Sequence, residues 1–387
     1  MEKITNGEIR PFMVMEVLER AIELEKEGRS IIHMEIGEPD FPTPPGIIRA
    51  AESSLHAGDT HYTDSRGILE LRKTIAEYYG HGYGVDISPG QVLVTMGVSP
   101  ALLLVLSTFI EHPGDEIILG DPCYPCYPNF IRYLGGVPRF VTARKEDGFQ
   151  LRAEDVEKEV CSRTKGIMIN SPANPTGTLI DAKEFESICD IGPPVISDEI
   201  YHGLVYGEKE RSALEFSPDS YVLNGFSKLF AMTGWRLGYM IVPEKALRSL
   251  QILQQNFFIS PGSFVQTAGI EALKGTHPEI PAMVKMYDER RRYLLKALPG
   301  LGLEYTVEPK GAFYIFVDAS HLDRDSYRLA FDILDKVGVA LTPGIDFGEQ
   351  GEGHLRISYA NSLDNIREGI RRLEKYINGG FNKGDQG

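Results

Sequence analysis

Residues 221–242 read Tyr-Val-Leu-Asn-Gly-Phe-Ser-Lys-Leu-Phe-Ala-Met-Thr-Gly-Trp-Arg-Leu-Gly-Tyr-Met-Ile-Val. The runs at 221–224 and 239–242 are short and apolar, and Gly225, Gly234 and Gly238 break the chain between them. Working outward, similar runs recur at 92–95, 116–119, 166–170 and 195–197, separated by helical patterns. Strand, loop and helix in alternation from about 43 to 285 predict a mainly parallel sheet covered on both faces. Such sheets bind ligands beyond the carboxyl ends of their strands, so polar residues near strand ends are the candidates for function.

The flanks have a different character. Val14, Val17, Leu18, Ile22 and Leu24 recur at roughly helical spacing, and Gly28 is a plausible stop. An apolar stretch at 31–36 then enters Gly37-Glu38-Pro39-Asp40-Phe41-Pro42, whose Pro and Gly force a loop. Beyond about 286 the pattern is a charged helix at 288–298, strands at 313–317 and 354–358, and a last helix at 365–376. The expected organisation is an N-terminal segment 1–42 that joins the small domain, a large domain 43–285, and a small α+β domain 286–387. The polar tail at 378–387 is expected to fray.

A chain of 387 residues suits two domains. Its 40 Lys and Arg against 55 Asp and Glu leave a net charge of −15. An acidic globule without a basic stretch is not built to bind nucleic acid or an anionic membrane. No apolar run approaches the roughly 18 residues of a membrane helix, and the first eight residues do not read as a signal peptide, so the expected location is cytoplasmic. Four cysteines make no disulfide framework. Cys123 and Cys126 form a C-x-x-C, but further ligands are lacking, and Pro122, Pro125 and Pro128 predict a rigid turn rather than a helix start. Gly97-Val98-Ser99-Pro100-Ala101 lacks the last Gly of a nucleophile elbow, and Gly351-Glu352-Gly353-His354-Leu355-Arg356 lacks that of a dinucleotide fingerprint.

Five polar features border the predicted strands. After 92–95, Gly97 allows a turn, Ser99 can cap a helix and Pro100 suits its first position, leaving free N–H groups for an anion. After 166–170, a loop with two Asn and two Pro presents Asn174. After 195–197, Asp198 ends a buried strand and needs a cationic partner, with Tyr201 three residues on. After 221–224, Lys228 sits among Gly225, Phe226 and Leu229, where desolvation makes an amine nucleophilic. Just before 239–242, Arg236 lies between two Gly and suits a forked contact with an anion. Together these suit one ligand with an anionic group, a cationic ring nitrogen, a phenolic oxygen and an aldehyde. Pyridoxal 5'-phosphate carries all four.

The order Ser227-Lys228-x-x-x-Met232-x-Gly234-x-Arg236-x-Gly238, with Asn170-x-Pro-x-Asn174-Pro-Thr-Gly177 and Asp198-Glu-x-Tyr201, resembles the class I/II pyridoxal-phosphate-dependent aminotransferases of fold type I, the aspartate aminotransferase-like group. The likeness runs from Gly37 to Ala360. It implies an α/β fold whose large domain holds a mainly parallel seven-stranded sheet between helices, with a smaller α+β domain that closes on it. Residue by residue, Lys228 resembles the lysine that bonds the cofactor aldehyde and moves the Cα proton, and Asp198 the partner of the ring nitrogen. Tyr201 and Asn174 resemble the pair on the ring oxygen, Tyr124 the aromatic that stacks on the ring, and Ser227, Arg236, Val98 and Ser99 the phosphate ligands. Tyr62 resembles the tyrosine that reaches the phosphate of a neighbouring subunit, which implies a homodimer with shared sites. Arg356 resembles the arginine that grips the substrate α-carboxylate, assisted by Gly37 and Asn174. The loop departs from many relatives in having Ala173, which leaves Asn174 in place. The implied activity moves an amino group between an amino acid and a 2-oxo acid. A C–S lyase on the same fold is the alternative. The amino donor stays open between aspartate and a broad neutral or aromatic range, with Tyr124, Tyr201 and Phe313 available to aromatic substrates.

Overall fold

The computed structural model describes residues 9–379, so the N-terminal octapeptide and most of the tail expected to fray lie outside the described residues. Seven strands form the large sheet, in the spatial order Val92–Thr95, Gly238–Ile241, Tyr221–Gly225, Val195–Asp198, Thr164–Asn170, Glu116–Asp121 and Val137–Thr142. Alternate residues along these strands feed two separate apolar cores. Val92, Val94, Ile167, Ile169 and Val222 face one, and Leu93, Met168, Ile196 and Leu223 face the other. Since side chains alternate along a strand, both faces being apolar means helices on both sides. Helices Leu69–Tyr83 and Ser263–Lys274 cover the first face, and Val98–Phe109 covers the second.

Strand Gly238–Ile241 runs antiparallel to both its neighbours, while the remaining pairs are parallel. This reversal has a functional consequence. The start of an antiparallel strand lies at the carboxyl end of the others, so Arg236, two residues before it, joins the residues that follow the parallel strands. Val137–Thr142 was not expected from the sequence. It is an edge strand, largely exposed and containing Pro138, so it has no apolar run to betray it.

A four-stranded antiparallel sheet joins Thr342–Pro343, His354–Ser358, Tyr314–Asp318 and Glu304–Tyr305, and Ile32–His33 pairs with Val339–Ala340. The lead-in helix, Met13–Lys26, buries Val17, Ala21 and Leu24 against Leu334 and Ala340, which attaches the N-terminal segment to this second unit. The last helix, Leu363–Asn378, buries Ile366, Ile370 and Leu373 on one face.

Two local expectations need correction. The helix after Gly97 starts at Val98, and Ser99 makes no capping bond, because Gly97 itself turns the chain at φ 95°. The proline-rich turn at 122–125 does lead into a helix, Cys126–Tyr133. Pro125 and Pro128 fall at its start, where no N–H is required of them. Among the described residues no helix is long and apolar enough to cross a membrane, and no cluster of His, Cys, Asp and Glu suits a metal ion.

Candidate active site

A cavity of about 330 Å³ opens at the carboxyl ends of the parallel strands. Val98, Ser99, Tyr124, Asn174, Asp198, Tyr201, Ser227, Lys228, Arg236, Gly37 and Arg356 all line it, so the fold gathers residues spread over 320 positions of sequence. Tyr62 is not among them. It is 82% exposed on the loop before Gly67, with no contact to this cavity within one chain. Phe313 is fully buried behind Tyr201, and its neighbour Tyr314 is the residue that lines the cavity.

The strand register places Asn170 opposite Asp198, and Asp198 opposite Leu223. Asp198 is 4% exposed. Its carboxylate accepts from Tyr127 Oη at 2.7 Å and from the Ile200 N–H at 3.2 Å. Burial pushes its pKa up to about 6, with those two donors and the charge of Lys228 pulling the other way. A carboxylate in that condition is stabilised by a cation placed against it. Glu199, the next residue, points into a separate buried network. It accepts from Tyr79, Ser197, Ser212 and the Ala213 N–H, which locks the turn carrying Asp198 and Tyr201 onto helix Leu69–Tyr83.

Lys228 follows strand Tyr221–Gly225 and donates to the Gly37 carbonyl at 2.5 Å. Desolvation lowers its pKa to about 8, opposed by Glu38 and reinforced by Arg356. Its amine therefore has a much larger neutral fraction near neutral pH than an exposed lysine, as a nucleophile and a proton acceptor both require.

Arg356 is held from three sides. It donates to Asn174 Oδ1 at 2.8 Å, to Thr342 Oγ1 at 3.0 Å and to the Glu35 carbonyl. Its guanidinium lies 4.3 Å from the Tyr314 ring centroid and 5.0 Å from that of Phe347. Arg356 Nε is buried and has no partner, which leaves a donor for a ligand. The Asn174 backbone N–H donates to Asn170 Oδ1 at 2.9 Å, and with its own Oδ1 accepting from Arg356 the side-chain amide nitrogen of Asn174 is left to donate.

At the other end, Arg236 has φ 55° and donates to the Thr233 carbonyl at 2.9 Å. A Cβ on Gly97 would meet its Nη2 at 2.7 Å, so only glycine lets this side chain reach the helix start at Val98. The cavity thus carries an anion-binding end, an acidic residue needing a cation, a lysine with a lowered pKa and an arginine with a spare donor. Those groups fit pyridoxal phosphate with an amino-acid carboxylate beside it.

Two side chains that matter here were not assigned from sequence. Tyr127 reaches Asp198 from the first turn of helix Cys126–Tyr133, and Tyr314 Oη sits 2.8 Å from Tyr201 Oη. Neither has a local signal, because each acts through a partner 71 or 113 residues away.

The fold and site define a pyridoxal-phosphate enzyme, and comparison with known proteins agrees. Residues 29–373 match the aminotransferase class I and II family, and the chain belongs to it. It is 46% identical over 371 residues to the (5-formylfuran-3-yl)methyl phosphate transaminase of Methanocaldococcus jannaschii, covering 95% of this chain and 97% of that one. It is 36% identical over 379 residues to an aspartate aminotransferase of Pyrococcus horikoshii, covering 96% of each. Among solved structures, a Methanococcus jannaschii protein described as similar in its active site to kynurenine aminotransferases superposes with a TM-score of 0.91 at 44% identity, covering 98% of this chain and 100% of that one. Aspartate aminotransferase of Thermus thermophilus bound to maleate gives 0.92 at 34%, covering 97% and 99%. The chain is a pyridoxal-phosphate-dependent amino-acid aminotransferase.

Proposed function

We propose that this aminotransferase takes amino donors with uncharged side chains, with the residue roles that follow. The observation that carries the substrate reading is the cavity lining. Its cations are Lys228, Arg236 and Arg356, while Glu38 and the apolar Phe12, Val14, Met15, Ile36 and Leu102 make up much of the remainder. With Arg356 on the α-carboxylate, Arg236 on the cofactor phosphate and Lys228 taken up by the cofactor aldehyde, the described residues leave no cation in the cavity for a second substrate carboxylate.

Bound here, pyridoxal phosphate supplies a carbonyl carbon for the substrate amine and a ring that accepts the electron pair left at Cα. Asp198 keeps a proton on the ring nitrogen. Asn174 and Tyr201 donate to the ring oxygen, Tyr124 covers the ring, and Ser227, Arg236 and the Val98 and Ser99 N–H groups hold the phosphate. Lys228 Nζ takes the Cα proton and returns it one position away, and its lowered pKa and fixed position supply the rate. Arg356, with Gly37 and Asn174, orients the substrate so that its Cα–H faces Lys228. Tyr127 holds the Asp198 carboxylate in place. Tyr127→Phe is expected to lower kcat roughly tenfold or more, by about 1.5–3 kcal/mol for a bond to a charged group, with little change in KM.

The same proposal includes the division 1–42, 43–285 and 286–387, supported by the seven-stranded sheet lying wholly within 43–285, the four-stranded sheet within 286–387, and the pairing of Ile32–His33 with Val339–Ala340. It includes a homodimer in which Tyr62 reaches the partner's phosphate. Supporting this, the exposed Tyr62 loop is tied through Thr63 N–H to Ser260, next to the exposed Phe257 and Ile259. A cytoplasmic setting belongs here too, supported by four cysteines that are all free.

The test is a donor panel of alanine, leucine, phenylalanine, tyrosine, aspartate and glutamate with 2-oxo acids. The formylfuran phosphate named for the Methanocaldococcus relative is added as an acceptor. Uncharged donors are expected to give kcat/KM at least about tenfold above aspartate. Preference for aspartate would sink the reading. Ammonia and pyruvate released without an oxo acid would instead indicate the lyase.

A further inference from the structure

The mouth of the cavity is built from the first turn of the lead-in helix: Phe12, Val14 and Met15 line it. That turn has no cap of its own. Phe12 occupies the N-cap position and supplies no side-chain bond. The exposed-end N–H groups go to a residue far along the chain. Met13 N–H donates to Asp346 Oδ1 at 3.0 Å and Val14 N–H to Asp346 Oδ2 at 3.3 Å. Asp346 is 8% exposed and lies in the turn Gly344–Phe347. The next residue, Phe347, stacks on the Arg356 guanidinium, and its carbonyl accepts from the Cys123 N–H, one residue before Tyr124. Phe12 in turn packs edge-on against Tyr124 with ring centroids 5.9 Å apart.

Beyond its first turn the helix is held independently by Val17, Ala21 and Leu24, packed against Leu334 and Ala340. The Asp346 carboxylate therefore serves the first turn alone, the part that meets a substrate side chain. Resting on the substrate reading above, we infer that Asp346 is a positioning residue: its carboxylate holds the first turn of the lead-in helix across the cavity mouth and so forms the wall of the side-chain pocket. Arg356 fixes the substrate at one end and Asp346 shapes the other, through adjacent residues of one turn.

The variants are Asp346→Ala, which removes both acceptors, and Asp346→Asn, which keeps one and can rescue in part. Both are assayed as holoenzyme with phenylalanine and with alanine, whose methyl group does not reach the helix. In Asp346→Ala, KM for phenylalanine is expected to rise about fivefold or more, as loss of a helix cap would produce, with kcat nearly unchanged. KM for alanine should move less than about twofold, and Asp346→Asn should fall between. Independently of activity, amide exchange in the peptide covering residues 12–20 should quicken about fivefold in Asp346→Ala without a change around 228 or 356. Equal KM shifts for the two donors would mean that Asp346 acts on Arg356 instead, and unchanged exchange would mean that it does not hold the turn. Either overturns the inference. A wild-type enzyme that accepts neither donor ends the substrate reading alone, and the exchange rates then decide on Asp346.

Discussion

Lys228→Ala is expected to abolish amino transfer, with a loss of at least roughly 10⁴-fold in turnover from removing the proton-transferring amine. No neighbour can replace it. Among the described residues the other cations of the cavity are Arg236 and Arg356, whose guanidinium groups carry donors only and offer no acceptor for the proton. Borohydride reduction of the wild-type holoenzyme should leave the cofactor bonded to Lys228, seen by mass spectrometry of the peptide, and the variant should carry no adduct. The cofactor-free chains give a second readout. Burial lowers the Lys228 pKa from its ordinary 10.5 to about 8, so the folded state binds this proton less well than the unfolded state. Stability from this group therefore rises with pH between about 8 and 10.5, and below 8 the buried charge is a net cost. Cofactor-free Lys228→Ala should then melt at or above the wild-type temperature at pH 7. A variant that turns over normally would end the assignment of Lys228.

Asp198→Asn carries the next largest effect, a fall in kcat of about a thousandfold, or roughly 4 kcal/mol. The substitution preserves shape, and the Ile200 N–H can still be accepted, but the charge facing the ring nitrogen is gone. Asp198→Ala should lose at least as much while retaining some cofactor through the phosphate ligands. Here the stability argument has the opposite sign for a carboxyl. Burial raises the Asp198 pKa from 3.8 to about 6, so the folded state binds the proton more tightly, and stability from this group falls as pH rises from about 4 to 6. At pH 7 the cofactor-free wild type bears that cost in full, and a bound cation opposite Asp198 relieves it. The rise in melting temperature on adding pyridoxal phosphate should therefore be smaller in Asp198→Asn than in the wild type. An equal rise, together with a kcat within tenfold, would show that Asp198 does not face a cation.

The residues proposed for the chemistry stood out in the sequence because each combines a strand-end position with a side chain unsuited to burial. Asp198 and Lys228 are costly in an apolar setting, so their place beside apolar runs already pointed to a ligand. The residues that orient them were not legible. Tyr127, Tyr314, Glu199 and Asp346 are common residue types that each bond a distant segment. Phe313 shows the same limit from the other side. Its aromatic ring was a candidate for the substrate pocket, yet a one-residue shift at the start of strand Tyr314–Asp318 gives that position to Tyr314.

From sequence alone came the alternation of buried strands and helices, and the lysine and carboxylate that the fold brings into one cavity, because burial patterns and the cost of isolated charge are local properties of the chain. The tertiary structure alone decided that strand Gly238–Ile241 runs against its neighbours, which delivers Arg236 to the same edge as Lys228. It also decided that a turn near residue 346 closes the helix that begins at residue 13. Strand direction and long-range caps depend on which distant segments meet, and a hydrogen-bond acceptor carries no mark of the donor it will find 333 residues away.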